Sequence, residues 1–191
     1  MATAYGAATL SGLSFTGVST APKTGILIPI ADTTSPTFGL WNPAGSGFNA
    51  TLVRFTASFV STTGAPGGIL YNALFNAGSA IGTAAPIVAF NSAAPINNYL
   101  GGGINSRMRF CPAGTTTLTA AGSTIDQVGS SQLTTTGTST ATPMYTVEDN
   151  INGRIIVGPG VFLYVTGSAA LLTLFDLSLT WIETPIGQSA P

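Results

Sequence analysis

The chain offers very little reactive chemistry: six carboxylates, one thiol and five cations among 191 residues, and no histidine. Without histidine the commonest general base near neutral pH is missing, along with the usual zinc sites and Ser–His triads. The carboxylates are Asp32, Asp126, Glu148, Asp149, Asp176 and Glu183. Glu148 and Asp149 are adjacent, and neighbours along a strand point to opposite faces, so they make a poor acid/base couple. The run Glu148-Asp149-Asn150-Ile151-Asn152-Gly153 sets oxygen side chains at alternate places before a glycine, as a calcium loop does. Such a loop needs a bidentate Glu at its twelfth position, which here is Pro159. Cys111, next to Pro112, has no imidazole to activate it and reads as a small buried hydrophobe. No catalytic, cofactor or metal site is expected.

Other motifs dissolve in the same way. Gly101-Gly102-Gly103 lacks the Lys-Ser/Thr and the preceding strand of a phosphate loop, and reads as a turn. Asn49-Ala50-Thr51 matches a glycosylation sequon, but no export signal is read in the sequence, so the match is accidental. Trp41, Tyr71, Tyr99 and Tyr164 would suit a sugar platform; packing in a core or interface is the favoured use.

The elements that must position these groups are strands. Period-two alternation dominates, and helical periodicity is nearly absent. Residues 51–60 set Val53, Phe55, Ala57 and Phe59 against Arg54, Thr56 and Ser58; residues 171–182 set Phe175, Leu177, Leu179 and Trp181 against Asp176, Ser178 and Thr180. Each pattern predicts a strand with one face on a core. Shorter strands are predicted at 25–30, 69–75, 86–90 and 161–166, with a possible helical turn around 74–80. Asn152-Gly153 supplies two positive φ angles and predicts a hairpin joining 145–151 to 154–157. With 24 Gly and 12 Pro as punctuation, eight to ten strands fit an all-β, antiparallel, jelly-roll-like sandwich.

Residues 1–22 read as an uncharged arm with Leu10, Leu13, Phe15 and Val18 as anchors, and 23–184 as one sandwich domain. Residues 115–143 form a Thr/Ser/Gly-rich excursion, in which Leu118, Ile125, Val128 and Leu133 are too sparse for a core face. It is either ordered against a neighbour or over the sandwich, or a mobile loop. The tail, 185–191, carries Pro185, Gly187 and Pro191 and should leave the sheet after Glu183.

Composition narrows the partners. Charged residues are 6% of the chain, against about 25% in an average soluble domain. A folded chain of this mass exposes roughly 8,400 Å², which so few charges cannot cover. Such a surface suits contact with protein. Net charge is −1 with no basic stripe, which excludes an electrostatic footprint for nucleic acid; Arg107 and Arg109 are two cations on one face of a possible strand. Mean hydropathy is +0.44, yet no apolar run reaches the roughly 18 residues of a membrane helix. The evenly repeated strands of a membrane barrel are missing too.

The stretch 40–54, Leu-Trp-Asn-Pro-Ala-Gly-Ser-Gly-Phe-Asn-Ala-Thr-Leu-Val-Arg, resembles structural proteins of tailed bacteriophages, in which such a turn leads into a long alternating strand. Residues 159–164 and the closing 179–183 are similar as well. The resemblance implies a virion protein of the capsid decoration or cement type, with a jelly-roll-like sandwich. It would be made in the host cytoplasm and placed on the capsid surface. Its partners would be copies of itself, as a trimer, and the major capsid protein. Phe15, Val18 and Trp41 are the expected assembly contacts. The alternative is a tail-fibre or spike module that binds a host-surface glycan.

Overall fold

The computed structural model describes residues 4–20, 24–62, 68–101, 104–114, 116–128, 146–168 and 173–187. They form a helix α1 (Ala4–Leu10) and fourteen strands: β1 (Ser14–Val18), β2 (Ile26–Leu27), β3 (Gly39–Asn42), β4 (Phe48–Thr62), β5 (Ile69–Leu74), β6 (Ile87–Ala89), β7 (Ile96–Asn97), β8 (Arg109–Cys111), β9 (Thr117–Leu118), β10 (Ser123–Val128), β11 (Thr146–Asp149), β12 (Ile156–Val157), β13 (Val161–Gly167) and β14 (Thr173–Pro185). One sheet runs β11-β4-β14-β1-β7, with β12 also on β4 and β2 on β14. A second runs β10-β5-β13-β3-β8, and β6 pairs β9 in a small ribbon. The ladders between these strands are antiparallel, giving the sandwich-like all-β architecture that the alternation predicts.

Between the two large sheets lies the main core, which includes Phe15, Phe38, Phe55, Tyr71, Phe110, Leu177 and Trp181. Its rings meet edge-on or stacked: Phe38 and Phe110 centroids are 5.1 Å apart at 88°, and Phe15 stacks on Trp181 at 6.1 Å. Full burial of one such side chain contributes about 1.5–3 kcal/mol. The second sheet is covered on its other face too. There Trp41, Phe162 and Tyr164 meet Ile87 and Leu118 from the ribbon in a separate core, with Phe90 packed against it. Residues 162–167 of β13 are therefore buried without a break, Leu163 and Val165 toward the main core and Phe162 and Tyr164 toward the second.

Several expectations are corrected. Within the supposed arm, Ser14–Val18 is a strand paired with both β14 and β7, and residues 4–10 are helical. In β4, Phe55 and Ala57 face inward as read, but the register steps from Arg54↔Thr180 to Leu52↔Trp181. Val53 is the extra residue of a bulge, so upstream of it Ala50 and Leu52 are the buried ones. The region around 74–80 turns without helix, with Asn76 at φ 58°. Residues 117–128 of the Thr-rich stretch contribute β9 and β10, and Leu118 and Val128 are buried; Leu133 and the rest of 129–143 lie outside the described residues. The chain stays in the sheet beyond Glu183, as far as the pair Pro185↔Phe48.

The predicted hairpin is the most instructive correction. Asn152 and Gly153 do adopt positive φ, 48° and 83°, and Arg154 N donates to Ile151 O at 3.0 Å. Yet β11 and β12 do not pair with each other; both lie antiparallel on β4, against residues 55–58 and 50–51. The turn is a loop thrown out of one edge strand, opposite the bulge at Val53. Asn152 N donates to Val53 O at 3.0 Å, and Gly153 N to Leu52 O at 2.8 Å.

A corner at 42–48 carries the chain from β3 in one sheet to β4 in the other. Gly45 (φ 83°) and Gly47 (φ 74°) supply the left-handed backbone that it requires. Buried Asn42 closes it, its Nδ2 donating to Phe48 O at 2.8 Å and Val157 O at 2.9 Å. Asn42→Ala removes both bonds and leaves carbonyls without their donor, so it should destabilise the fold by about 2 kcal/mol. Urea unfolding measures this directly; an unchanged midpoint would show that the corner does not depend on the amide.

Candidate functional surface

The charged groups are mostly spent on structure. Arg154 donates from Nε to Asp126 Oδ2 at 2.8 Å, and from Nη2 and Nη1 to the two carboxylate oxygens of Asp149 at 2.6 and 3.2 Å. The Tyr71 hydroxyl donates to Asp149 Oδ2 at 3.1 Å. Asp126 belongs to the edge of one sheet and Asp149 to the edge of the other, so the guanidinium clips the sandwich shut along one side. The Arg154 hydrogen bond, and then that from Gln127 N, holds the Asp126 carboxyl below its usual range. Burial, and then the Asp149 charge, pushes the Tyr71 phenol far above its usual value. Sequence reasoning missed this cluster, because its members lie 23 and 28 residues from Asp126 and meet only through the fold.

Glu183 is fully buried and accepts from Ser106 Oγ, from Arg107 N at 3.0 Å and from Trp181 Nε1 at 3.1 Å. Its carboxylate ties residues 106–107 to the end of β14 and faces no solvent. Arg107 and Arg109 form no patch: their guanidinium carbons sit 4.0 Å from the Phe48 ring centroid and 5.0 Å from that of Trp41. Burial raises the Cys111 thiol, which accepts from Thr116 Oγ1 at 3.4 Å, so the reactive thiolate is disfavoured. Glu148 is exposed on the face opposite the half-buried Asp149. Among the described residues no three His, Cys, Asp or Glu side chains converge to hold a metal. A hollow of about 500 Å³ is lined by residues 78–86, none of them ionisable.

What remains for contact is surface of an unusual kind. Register places Ile96, Thr16, Thr180 and Arg54 in one row across the outer face of the first sheet. The next row is Val18, Ser178, Thr56 and Glu148, and the third Asp176, Ser58 and Thr146. The hydroxyls pair among themselves, Thr16 with Thr180 at 3.0 Å, Thr56 with Ser178 at 2.6 Å and Ser58 with Thr146 at 3.3 Å. At one end, Tyr5 of α1 joins Arg54, Asn150 and Thr180 around a depression of about 240 Å³.

Beside this face, at β7, apolar side chains gather in the open. Leu10 is 71% exposed, Leu100 81% and Ile96 53%, with Tyr99 and Ile104 also outward. Hydrogen bonds draw the two stretches together: Asn97 Nδ2 donates to Gly12 O and Ile104 O, and Asn98 Nδ2 to Ser14 Oγ and the Tyr5 hydroxyl. Neither residues 4–20 nor 96–104 contain a charge. Of the expected contact residues, Val18 is 45% exposed and adjoins this rim. Phe15 and Trp41 are corrected: both are interior, Phe15 against Trp181 and Trp41 against Phe90.

Compared with protein-family models, curated proteins and solved structures, the chain gives no match. The reading of function therefore rests on the surface itself.

The ionic clip gives a pH prediction. The folded Asp126 carboxyl lies below its unfolded value, so its contribution is present above about pH 4 and is lost as pH falls through the folded value. Arg154→Met should cost about 1 kcal/mol or less at neutral pH, because solvent screens the exposed partners. It should also flatten the acid limb of the stability curve below about pH 4, the unfolded carboxyl's value. Thermal melts over that range check both; an acid limb identical to the parent's would remove the clip from the account.

Proposed function

We propose that the chain is a non-enzymatic structural component of a bacteriophage particle, of the capsid decoration or cement type, that works through multimeric contacts. The jelly-roll-like strand order of such sandwiches, a trimeric state, the major capsid protein as partner and the capsid surface as location belong to the same proposal. The observation that carries it is the uncharged apolar rim of Leu10, Ile96, Tyr99, Leu100 and Ile104, held on a rigid sandwich by the part-buried hydrogen bonds of Asn97 and Asn98. Large apolar side chains left exposed on two stretches that hydrogen bonds hold together suit protein contact. Covering it gains about 25 cal/mol per Å² of apolar area, less the cost of ordering. The corner at 42–48, where the resemblance to phage structural proteins is carried, joins the two sheets and so belongs to the rigidity that such a role requires.

The glycan-binding alternative loses ground at the same place. Tyr99 is exposed, but the amides beside it are committed: Asn97 Nδ2 to two carbonyls, Asn97 Oδ1 to Tyr99 N, and Asn98 Oδ1 to Thr16 Oγ1. Trp41 lies inside. A sugar would find an aromatic ring there with the amides of Asn97 and Asn98 already taken.

Leu10→Asp and Leu100→Asp change exposed side chains, so the fold should survive, with an unchanged circular dichroism spectrum. Each should weaken self-association and binding to decoration-free capsids by about tenfold or more, since 1.4 kcal/mol is a factor of ten. Sedimentation and capsid co-pelleting measure the two separately. A parent chain that is monomeric and does not bind particles would overturn the proposal.

A further inference from the structure

Asn152-Gly153 is the one place in the sequence where an asparagine precedes a glycine. That pair is chemically special because glycine has no side chain to obstruct attack by its own backbone nitrogen. When Gly153 N gives up its proton to base, it attacks Asn152 Cγ. The new C–N bond closes a five-membered imide, the Cγ–Nδ2 bond breaks, and ammonia leaves. Water then opens either imide carbonyl, giving a normal or an isoaspartyl linkage with a new carboxylate. No oxidant, reductant or enzyme enters.

Asn152 is exposed, so water and base reach it. The backbone, however, is held against the reaction. The attacking Gly153 N–H donates to Leu52 O at 2.8 Å, and Asn152 N and Arg154 N are bonded at 3.0 Å to Val53 O and Ile151 O. Ring closure reorients the peptide plane between 152 and 153 and must break the bond to Leu52. The Arg154 clip to Asp126 and Asp149 closes the same turn from its far side. We propose that Asn152 is a spontaneous modification site whose reaction is gated by release of the 151–155 turn from β4. Its rate then reports how often this edge of the sandwich opens.

The product matters to the fold. An isoaspartyl link adds a methylene to the main chain between β11 and β12, which must both keep register on β4. It also sets a fresh carboxylate two residues from Arg154, in competition with Asp126 and Asp149. Modification therefore loosens the edge irreversibly.

Mass spectrometry of the full chain, folded and in concentrated urea, tests this at mildly alkaline pH. The expected result is a +1 Da shift at Asn152 in the unfolded chain, at least tenfold slower in the folded one, and faster again in folded Arg154→Met. Amide exchange at Gly153 in the parent protein should show protection within about threefold of that rate ratio, whatever the variant does. Equal rates in the two states, or exchange protection unrelated to the rate ratio, would overturn the gating. No mass shift at Asn152 in urea would overturn the site.

Discussion

The ladder between β4 and β14 is the constraint on which the rest of the structure depends. It runs from Thr62↔Thr173 to Phe48↔Pro185, and its two strands carry further strands on both outer sides, β11 and β12 on β4, β1 and β2 on β14. Its inward face supplies Phe55, Leu177, Leu179 and Trp181 to the main core, and its outward face supplies the hydroxyl rows. The bulge at Val53 breaks the ladder's alternation, and the structure uses the break: carbonyls 52 and 53 receive the turn at Asn152-Gly153. The corner held by Asn42 delivers the chain from the second sheet to the start of this ladder.

What was legible in the sequence follows from this geometry. The strands around Phe55 and Phe175–Trp181 alternate because one face meets a core and the other water, so their period survives in the sequence. β3 and much of β13 are covered on both faces, which erases the period; Trp41 looked like a surface contact because the ribbon that covers it arrives from Ile87 and Leu118, far along the chain. β1 was hidden by Gly17, where a Cβ would meet the Phe110 ring at 2.5 Å. A glycine inside a strand weakens the local signal, and here close ring packing is its reason. At Asn152-Gly153 the backbone angles were readable, because they belong to the residues. Which strand the flanks would pair with was not, because that is settled by β4.

The treatment of charge bears on function. Asp126 and Asp149 share Arg154 at an edge, Glu183 is buried among donors, and Arg107 and Arg109 lie on aromatic rings. These groups are used within the molecule, which leaves the β7 rim free of charge and only Arg54, Glu148 and Asp176, one to each row, on the outer hydroxyl face. Burying a charge against a partner costs several kcal/mol unless it is matched, and a hydroxyl already bonded to its neighbour carries far less of that penalty. The pairs Thr16–Thr180 and Thr56–Ser178 therefore present a face that can be covered without demanding a particular partner atom. The edge strand beside it is only two residues long and follows Pro95, which discourages strand addition. Contact at this rim is then made by side chains such as Leu10 and Leu100 rather than by backbone, so it depends on shape and apolar area, and screening by salt should leave it standing.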